Sequence, residues 1–86
     1  MSIELGLKDK IAIVTGGGVG IGKETARKLA LEGVKVVIAA RTMSKLEAAA
    51  KEIVESTGGV VVPIAVDTTS MASVQAMVDR TVELFG

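Results

Sequence analysis

The amino-acid sequence predicts an α/β fold in which helices cover both faces of a parallel sheet. Short apolar runs alternate with longer segments whose apolar residues recur at helical spacing, which is the pattern of successive βαβ units. Hydrophobic residues make up 49% of the 86 residues, and the runs are rich in Val and Ala, as buried parallel strands are. A turn crowded with glycine joins the first apolar run to the first helical segment.

The first strand is predicted from Lys10 to Val14, and the helix after it from Gly20 to Glu32. The apolar residues expected on the inner face of this helix are Ile21, Ala26, Leu29 and Ala30. Gly33 follows, at a position where a glycine in the left-handed conformation commonly ends a helix.

The second strand is predicted from Lys35 to Ala40, because a continuous apolar run is typical of a buried parallel strand. The next helix is predicted to begin with a capping box formed by Ser44 and Glu47. Its apolar face is expected to consist of Leu46, Ala49, Ala50, Ile53 and Val54. Gly58 and Gly59 are expected to stop it.

The third strand is predicted from Val60 to Val66. Pro63 cannot donate a ladder hydrogen bond, so this strand is expected at an edge of the sheet. Ser70 is expected to cap a last helix. The residues expected to point inward from that helix are Val74, Met77, Val78, Val82 and Phe85.

Right-handed crossovers between these strands build half of a doubly wound Rossmann fold, with three parallel strands in the order 3-2-1 and three helices. In the complete arrangement a fourth strand pairs with the first. No fourth apolar run follows in this sequence, so the first strand is expected to leave a long unpaired edge.

The glycine-rich turn has a chemical use, because glycines let the backbone approach a ligand and a helix N-terminus favours phosphate. The strict dinucleotide spacing G-x-G-x-x-G fails here, since Ile21 and Lys23 stand where its last glycine belongs in the two possible registers. A nucleotide phosphate site is still the first hypothesis for this turn.

A Walker-type register provides one alternative interpretation. Gly17, Gly22 and Lys23 satisfy G-x-x-x-x-G-K, and Asp67 could serve as the acidic residue after a later strand. Glu24 stands where a Ser or Thr should hold Mg²⁺, so a P-loop nucleotide hydrolase is the weaker interpretation.

The third register is Thr15-Gly16-x-x-x-Gly20-Ile21-Gly22, the pattern T-G-x-x-x-G-I-G. With this pattern the chain resembles the short-chain dehydrogenase/reductase family. The resemblance continues in order through LKDK, IAIVTGG, VVIAAR, SKLEAAAKEI, VDTTS and VELFG, and covers nearly the whole chain.

The resemblance implies a dinucleotide cofactor. It assigns Gly16, Gly20, Ile21 and Gly22 to the pyrophosphate turn, and Thr15 to a hydrogen bond that keeps this turn in shape. Lys23, in the first helical turn, either points to solvent or reaches a phosphate.

Arg41 bears on whether the dinucleotide is NAD or NADP. Ala40 stands where an NAD-preferring member would carry an acid, and the guanidinium of Arg41 suits a 2′-phosphate, so NADP is favoured over NAD. The family's other NADP marker is a basic residue at the position that Val19 occupies here. The alternative for Arg41 is a solvated charge at a strand end.

Asp67 and Thr68 follow the third strand. The resemblance implies that this Asp accepts a hydrogen bond from the adenine amino group, and that the next backbone N–H meets the ring. The alternative is an Asp that opens the turn before the last helix.

The activity implied is reversible hydride transfer between a nicotinamide cofactor and an alcohol or ketone. The family's catalytic Ser, Tyr and Lys belong to its second half, and this sequence contains no Tyr. We therefore assign no catalytic residue and leave open whether the chain is itself an enzyme. Residues 1–86 are expected to be a partial, N-terminal cofactor-binding domain that lacks the second half and the catalytic region.

Composition restricts the other partners. Ten basic and ten acidic residues balance, which argues against nucleic acid, and the absence of His and Cys removes the usual metal ligands. No apolar run approaches the ~20 residues that span a membrane, and a cytoplasmic location is expected. A homodimer or higher homo-oligomer is expected through the first strand or a swapped helix. A non-catalytic, self-assembling fragment is accordingly the second hypothesis for function.

Overall fold

The computed structural model describes residues 2–4, 11–16, 18 and 20–85, which form one four-stranded sheet with helices on both faces. The strands are β1 (Ser2–Glu4), β2 (Ile11–Thr15), β3 (Lys35–Ala40) and β4 (Val61–Ala65). The helices are α1 (Gly20–Leu31), α2 (Met43–Thr57) and α3 (Met71–Phe85). Gly17, Val19, Gly86 and the whole LKDK segment, which includes Lys10, were used in the sequence analysis and lie outside the described residues.

Three strands run parallel, and the predicted order is confirmed: β3 lies between β2 and β4. Ile13 is opposite Val37, and Ile38 is opposite Pro63. Because each parallel strand is followed by a helix, the carboxyl ends of all three strands meet at one edge of the sheet.

Pro63 lies on the edge strand, as predicted, and its position in the ladder explains why it is accommodated there. The N–H of Val66 donates to Ala40 O, and the N–H of Val36 donates to Val60 O. Backbone groups of even-numbered residues of this segment therefore face β3. Since the direction alternates along a strand, the missing N–H of Pro63 falls on the outer side, where no ladder bond is lost.

The other edge differs from the prediction. β1 pairs antiparallel with β2, with Ser2 opposite Val14 and Glu4 opposite Ala12. The expected long free edge on the first parallel strand is therefore covered over these three positions. The cover comes from Ser2–Glu4, a segment of only three residues that the sequence analysis did not assign to a strand.

Successive residues of each strand point to opposite faces of the sheet, and each face packs in its own hydrophobic core. On one face, Ala12, Val14, Val36 and Ile38 pack against α1 and α2. On the other face, Ile13, Val37 and Ala39 pack with Val66 and with Met77 of α3. Half of the residues predicted for the inner helical faces are buried, and Leu29, Val74 and Phe85 are partly buried against the cores. Those that are buried are Ala26, Ala30, Leu46, Ala49, Ala50, Ile53 and Met77.

Four of the predicted inward-facing residues are instead exposed. Ile21 is 88% exposed, Val54 38%, Val78 37% and Val82 56%. Thr81 takes a buried position on α3, because its hydroxyl donates to Met77 O at 2.8 Å and so carries no unsatisfied polar group into the core.

The helix ends agree with the sequence at three of four places. Ser70 Oγ accepts from the N–H of Ser73 at 3.2 Å, as a cap should, and Gly33 and Gly58 have positive φ values of 85° and 70°. The capping box is wrong. α2 begins at Met43, so Ser44 is already inside the helix, and the preceding Thr42 makes no side-chain capping bond.

Candidate functional site

The glycine-rich turn lies between β2 and α1, at the carboxyl edge of the parallel sheet. Gly16 and Gly20 have φ values of 75° and 58°, which other residues adopt only with strain. A Cβ at either position would have no neighbour within 4 Å, so it is the conformation that requires glycine, and the space beside the backbone is open. The N–H of Gly16 donates to Ala39 O at 2.6 Å and ties the turn to β3.

A cavity of about 610 Å³ opens beside this turn. Its walls come from the ends of all three parallel strands: Thr15, Gly16, Ala39, Ala40, Arg41, Val66, Thr68 and Thr69. Four of the eight predicted site residues, Thr15, Gly16, Arg41 and Thr68, thus line one cavity. The position outside the carboxyl ends of the strands is where open α/β sheets bind ligands.

A second cavity of about 210 Å³ lies between the turn and the start of α2. It is lined by Gly16, Gly18, Ala40, Arg41, Thr42, Lys45 and Leu46. The two cavities share Gly16, Ala40 and Arg41, so a ligand that follows the end of β3 would enter both. Lys45 was missed by the sequence analysis, because the loop and helix that bring it here are not encoded in any local motif.

Asp67 takes the local role that the sequence left open. Its Oδ1 accepts from the N–H of Thr69 at 2.9 Å and from the Thr69 hydroxyl at 2.6 Å, which closes the turn before α3. The same oxygen lies 3.6 Å from Nη2 of Arg41, which lines the larger cavity. The two Thr69 hydrogen bonds, and to a smaller extent the Arg41 guanidinium, hold the pKa of Asp67 below its usual value.

Lys23 is held by α2 and does not face the turn. Its ammonium pairs with Glu52, which also accepts from Nη2 of Arg27 at 3.2 Å. Arg27 in turn bonds Glu24 at 3.1 Å and the hydroxyl of Ser56 at 3.0 Å. The Lys23 ammonium, and then the Arg27 guanidinium, lower the pKa of Glu52. A Walker lysine must face phosphates, so this pairing does not favour the P-loop interpretation.

The other predicted residues lie around the same turn. Gly22 is in the first turn of α1, and the exposed side chain of Ile21 is next to it. Ser73 was also missed: its Oγ accepts from the N–H of Asp67 at 2.9 Å and joins the end of the sheet to α3. A Ser three residues after a capping Ser is a faint signal for such a contact.

The described part of the chain has neither a cluster of metal-binding side chains nor a membrane-spanning helix. Within residues 2–4, 11–16, 18 and 20–85, no three His, Cys, Asp or Glu side chains come together in a way that would hold a metal ion. Across the same residues, no helix combines the length and apolar character required to cross a membrane.

Sequence comparison finds relatives over nearly the whole chain. The family model for short chain dehydrogenases matches residues 10–86. A probable 2,4-dienoyl-CoA reductase 3 from Caenorhabditis elegans is 46% identical over 80 residues, which make up 93% of this chain and 26% of the relative. The peroxisomal 2,4-dienoyl-CoA reductase of Danio rerio is 41% identical over 80 residues, 93% of this chain and 27% of the relative.

Solved structures of short-chain oxidoreductases have a similar backbone over nearly the whole chain. The L-sorbose reductase from Gluconobacter frateurii, complexed with NADPH and L-sorbose, matches with a TM-score of 0.87 and 34% identity over 98% of this chain and 32% of that one. A metagenomic short-chain oxidoreductase in complex with NADP matches with a TM-score of 0.86 and 36% identity over 93% of this chain and 36% of that one. The chain thus spans about a quarter to a third of these proteins.

Proposed function

Because the chain belongs to the short-chain dehydrogenase family, we propose that residues 1–86 are the part of an NADP(H)-dependent oxidoreductase that binds the adenosine and diphosphate of the cofactor. The parent reaction is reversible hydride transfer between the nicotinamide and an alcohol or ketone. No proton transfer is assigned to a residue of this chain. The cytoplasmic location remains a prediction.

The observation that carries this proposal is the open backbone of the glycine turn beside two connected cavities. At Gly16 and Gly20, positive φ and empty space beside the backbone occur together, so a diphosphate can approach the main chain closely. The N–H of Gly16 is bonded to Ala39 O, so the N–H groups for the phosphates are those at the start of α1. The larger cavity has room for adenine and ribose, with Thr68 and Thr69 on one wall. The residues present therefore fit the cofactor's adenosine half.

Arg41 supports NADP in particular. It lines both cavities, and its side chain is 75% exposed, so the guanidinium is accessible to a ligand. A guanidinium binds a phosphate through two parallel hydrogen bonds. NADP has a phosphate at the 2′ position of its ribose, where NAD has only a hydroxyl. Both solved structures named above contain NADPH or NADP, which supports the same choice.

The proposal is tested by calorimetric titration of the chain with 2′,5′-ADP and with 5′-AMP. Substitution Arg41→Ala is expected to weaken 2′,5′-ADP binding about tenfold, the loss of one charged hydrogen-bond pair, and to leave 5′-AMP binding unchanged. Arg80→Ala is the matched control, because Arg80 is an exposed arginine on α3, far along the chain from the cavities.

Two results would count against the proposal. An equal loss for both ligands would show that Arg41 does not read the 2′-phosphate. If the unsubstituted chain binds neither ligand, the cofactor role of this part of the protein is wrong.

Self-assembly is the second candidate, and exposed apolar residues on α3 favour it. Met71 is 84% exposed, Val82 56% and Val78 37%. We propose that a second copy of the chain covers this face. The covered edge of β2 makes the strand-mediated dimer the less favoured route.

A further inference from the structure

The smaller cavity is lined by a second cation, Lys45, whose backbone is fixed by packing. Lys45 lies in the first turn of α2, directly before Leu46, which is fully buried in the core. A Cβ built on Gly18 would be 3.7 Å from the Cβ of Lys45 and 3.7 Å from the Leu46 side chain. The start of α2 therefore packs on the glycine turn, and Lys45 is held at the rim of the cavity.

The two cations at this cavity differ in how their charges are compensated. Arg41 faces the carboxylate of Asp67 at 3.6 Å. Lys45 has no ion pair with any carboxylate in the described part of the chain, whereas Lys23, on the neighbouring helix, is paired with Glu52. The uncompensated positive charge at the small cavity therefore belongs to Lys45.

Position and charge together point to an anion in the small cavity. Arg41 and Lys45 are both among its lining residues, and its volume of about 210 Å³ is sufficient for a phosphate group but not for a whole nucleotide. The cavity is reached past Ala40, the residue at the end of β3 that it shares with the larger cavity. A ribose at Ala40, between the two cavities, would have the smaller one within reach of its 2′-substituent.

We infer that Lys45 is a specificity-determining residue, which binds the 2′-phosphate of the cofactor together with Arg41 and so favours NADP over NAD. This inference rests on the proposed cofactor function and adds a residue to it. The diphosphate is the other anion that Lys45 could meet, because Gly18 of the turn is adjacent. The ligands in the test must therefore separate the two phosphates.

The test compares 2′,5′-ADP with 5′-ADP in calorimetric titrations of the whole chain. Lys45→Gln is expected to weaken 2′,5′-ADP binding about three- to fivefold, as the loss of one exposed ion pair would. Binding of 5′-ADP should change less than about twofold. Lys45→Arg should restore the affinity for 2′,5′-ADP. Lys51→Gln is the matched control, an exposed lysine on the same helix that does not line either cavity.

Each other outcome is informative. Equal weakening of both ligands would assign Lys45 to the diphosphate and overturn the inference. A second outcome would also overturn the inference: Lys45→Gln binds 2′,5′-ADP as tightly as Lys51→Gln does, while Arg41→Ala still binds it more weakly. The proposed function would remain intact in that case. If the unsubstituted chain binds neither nucleotide, the proposed function fails and the inference fails with it.

Discussion

Asp67 shows how one side chain serves the fold and restrains the site at the same time. Its Oδ1 closes the turn before α3 through Thr69 and also faces Arg41, the cation that a 2′-phosphate would need. A phosphate approaching Arg41 therefore meets a carboxylate that competes for the same guanidinium and repels the ligand.

Substituting Asp67→Asn should strengthen 2′,5′-ADP binding. The amide keeps an oxygen that can accept from the N–H of Thr69, while the competing negative charge is lost. We expect affinity for 2′,5′-ADP to rise about two- to fivefold and affinity for 5′-AMP to remain within about twofold, measured by calorimetry. Asp79→Asn on α3 is the control.

A loss of affinity for both ligands would give a different role to Asp67. It would mean that the full carboxylate is needed by the adenine, as the family resemblance implies, and that its effect on Arg41 is secondary. The gain of binding is therefore the result that separates the two roles.

Residue-level prediction succeeded where a local rule decides the conformation. Gly16 and Gly20 adopt positive φ, Pro63 lies on the edge strand, and Ser70 caps α3. It failed where burial of a side chain depends on an element distant in the sequence. Ile21 fits an inner helical face, but whether it is buried depends on what packs there, and in this structure it is 88% exposed.

At the level of elements, α1 and α2 are joined on their outer surface by a cluster of charges. Glu52 of α2 accepts from both Lys23 and Arg27 of α1, and Arg27 also bonds Ser56. The contact fixes the helix that begins at the glycine turn against the helix that carries Lys45. The smaller cavity lies between this turn and the start of α2.

This cluster should make stability depend on pH. Because the pKa of Glu52 is lowered in the folded chain, the unfolded chain binds its proton more readily. The stabilisation is complete above the ordinary glutamate pKa of about 4.3 and is lost as pH falls through the lowered value. We expect Glu52→Gln to unfold at a lower temperature than the unsubstituted chain at pH 7, with the difference shrinking in acid.

Thermal unfolding followed by circular dichroism between pH 7 and pH 3 would measure this. Glu55→Gln, one turn further along the exposed side of α2, is the matched control and should show no such difference. A Glu52→Gln deficit that stays constant down to pH 3 would mean that the charge of Glu52 is not what stabilises the contact.

Element prediction from the sequence was accurate for order and type, and less so for partners. Apolar runs and glycine stops located three strands and three helices, and the structure confirms them. The helical spacing of apolar residues in α3 placed Val78 and Val82 on its inner face. That spacing does not show how much of the helix surface the sheet covers. β1 was missed because Ser2–Glu4 becomes a strand only through pairing with β2.

For the whole molecule, the exposed apolar side of α3 is the surface that a second copy is proposed to cover. Substituting both Val78→Ser and Val82→Ser should reduce the dimer fraction, since these side chains are 37% and 56% exposed in the single chain. Sedimentation velocity at micromolar concentration measures that fraction. Ala72→Ser with Ala76→Ser, also on exposed positions of α3, is the control.

An unchanged sedimentation profile in the valine variant would remove α3 from the interface. A monodisperse monomer for the unsubstituted chain would go further and reject assembly as a function of this part of the protein.

The two borders of the sheet are not equivalent, and Pro63 is the reason. An incoming strand that lay along β4 would meet Val61, Pro63 and Ala65, and at the centre it would find a ring carbon in place of a hydrogen-bond donor. The opposite border is formed by β1, whose described residues Ser2–Glu4 include no proline. Copies joined through their β1 borders would form closed pairs, whereas growth into a fibre would also require pairing along β4, which Pro63 disfavours.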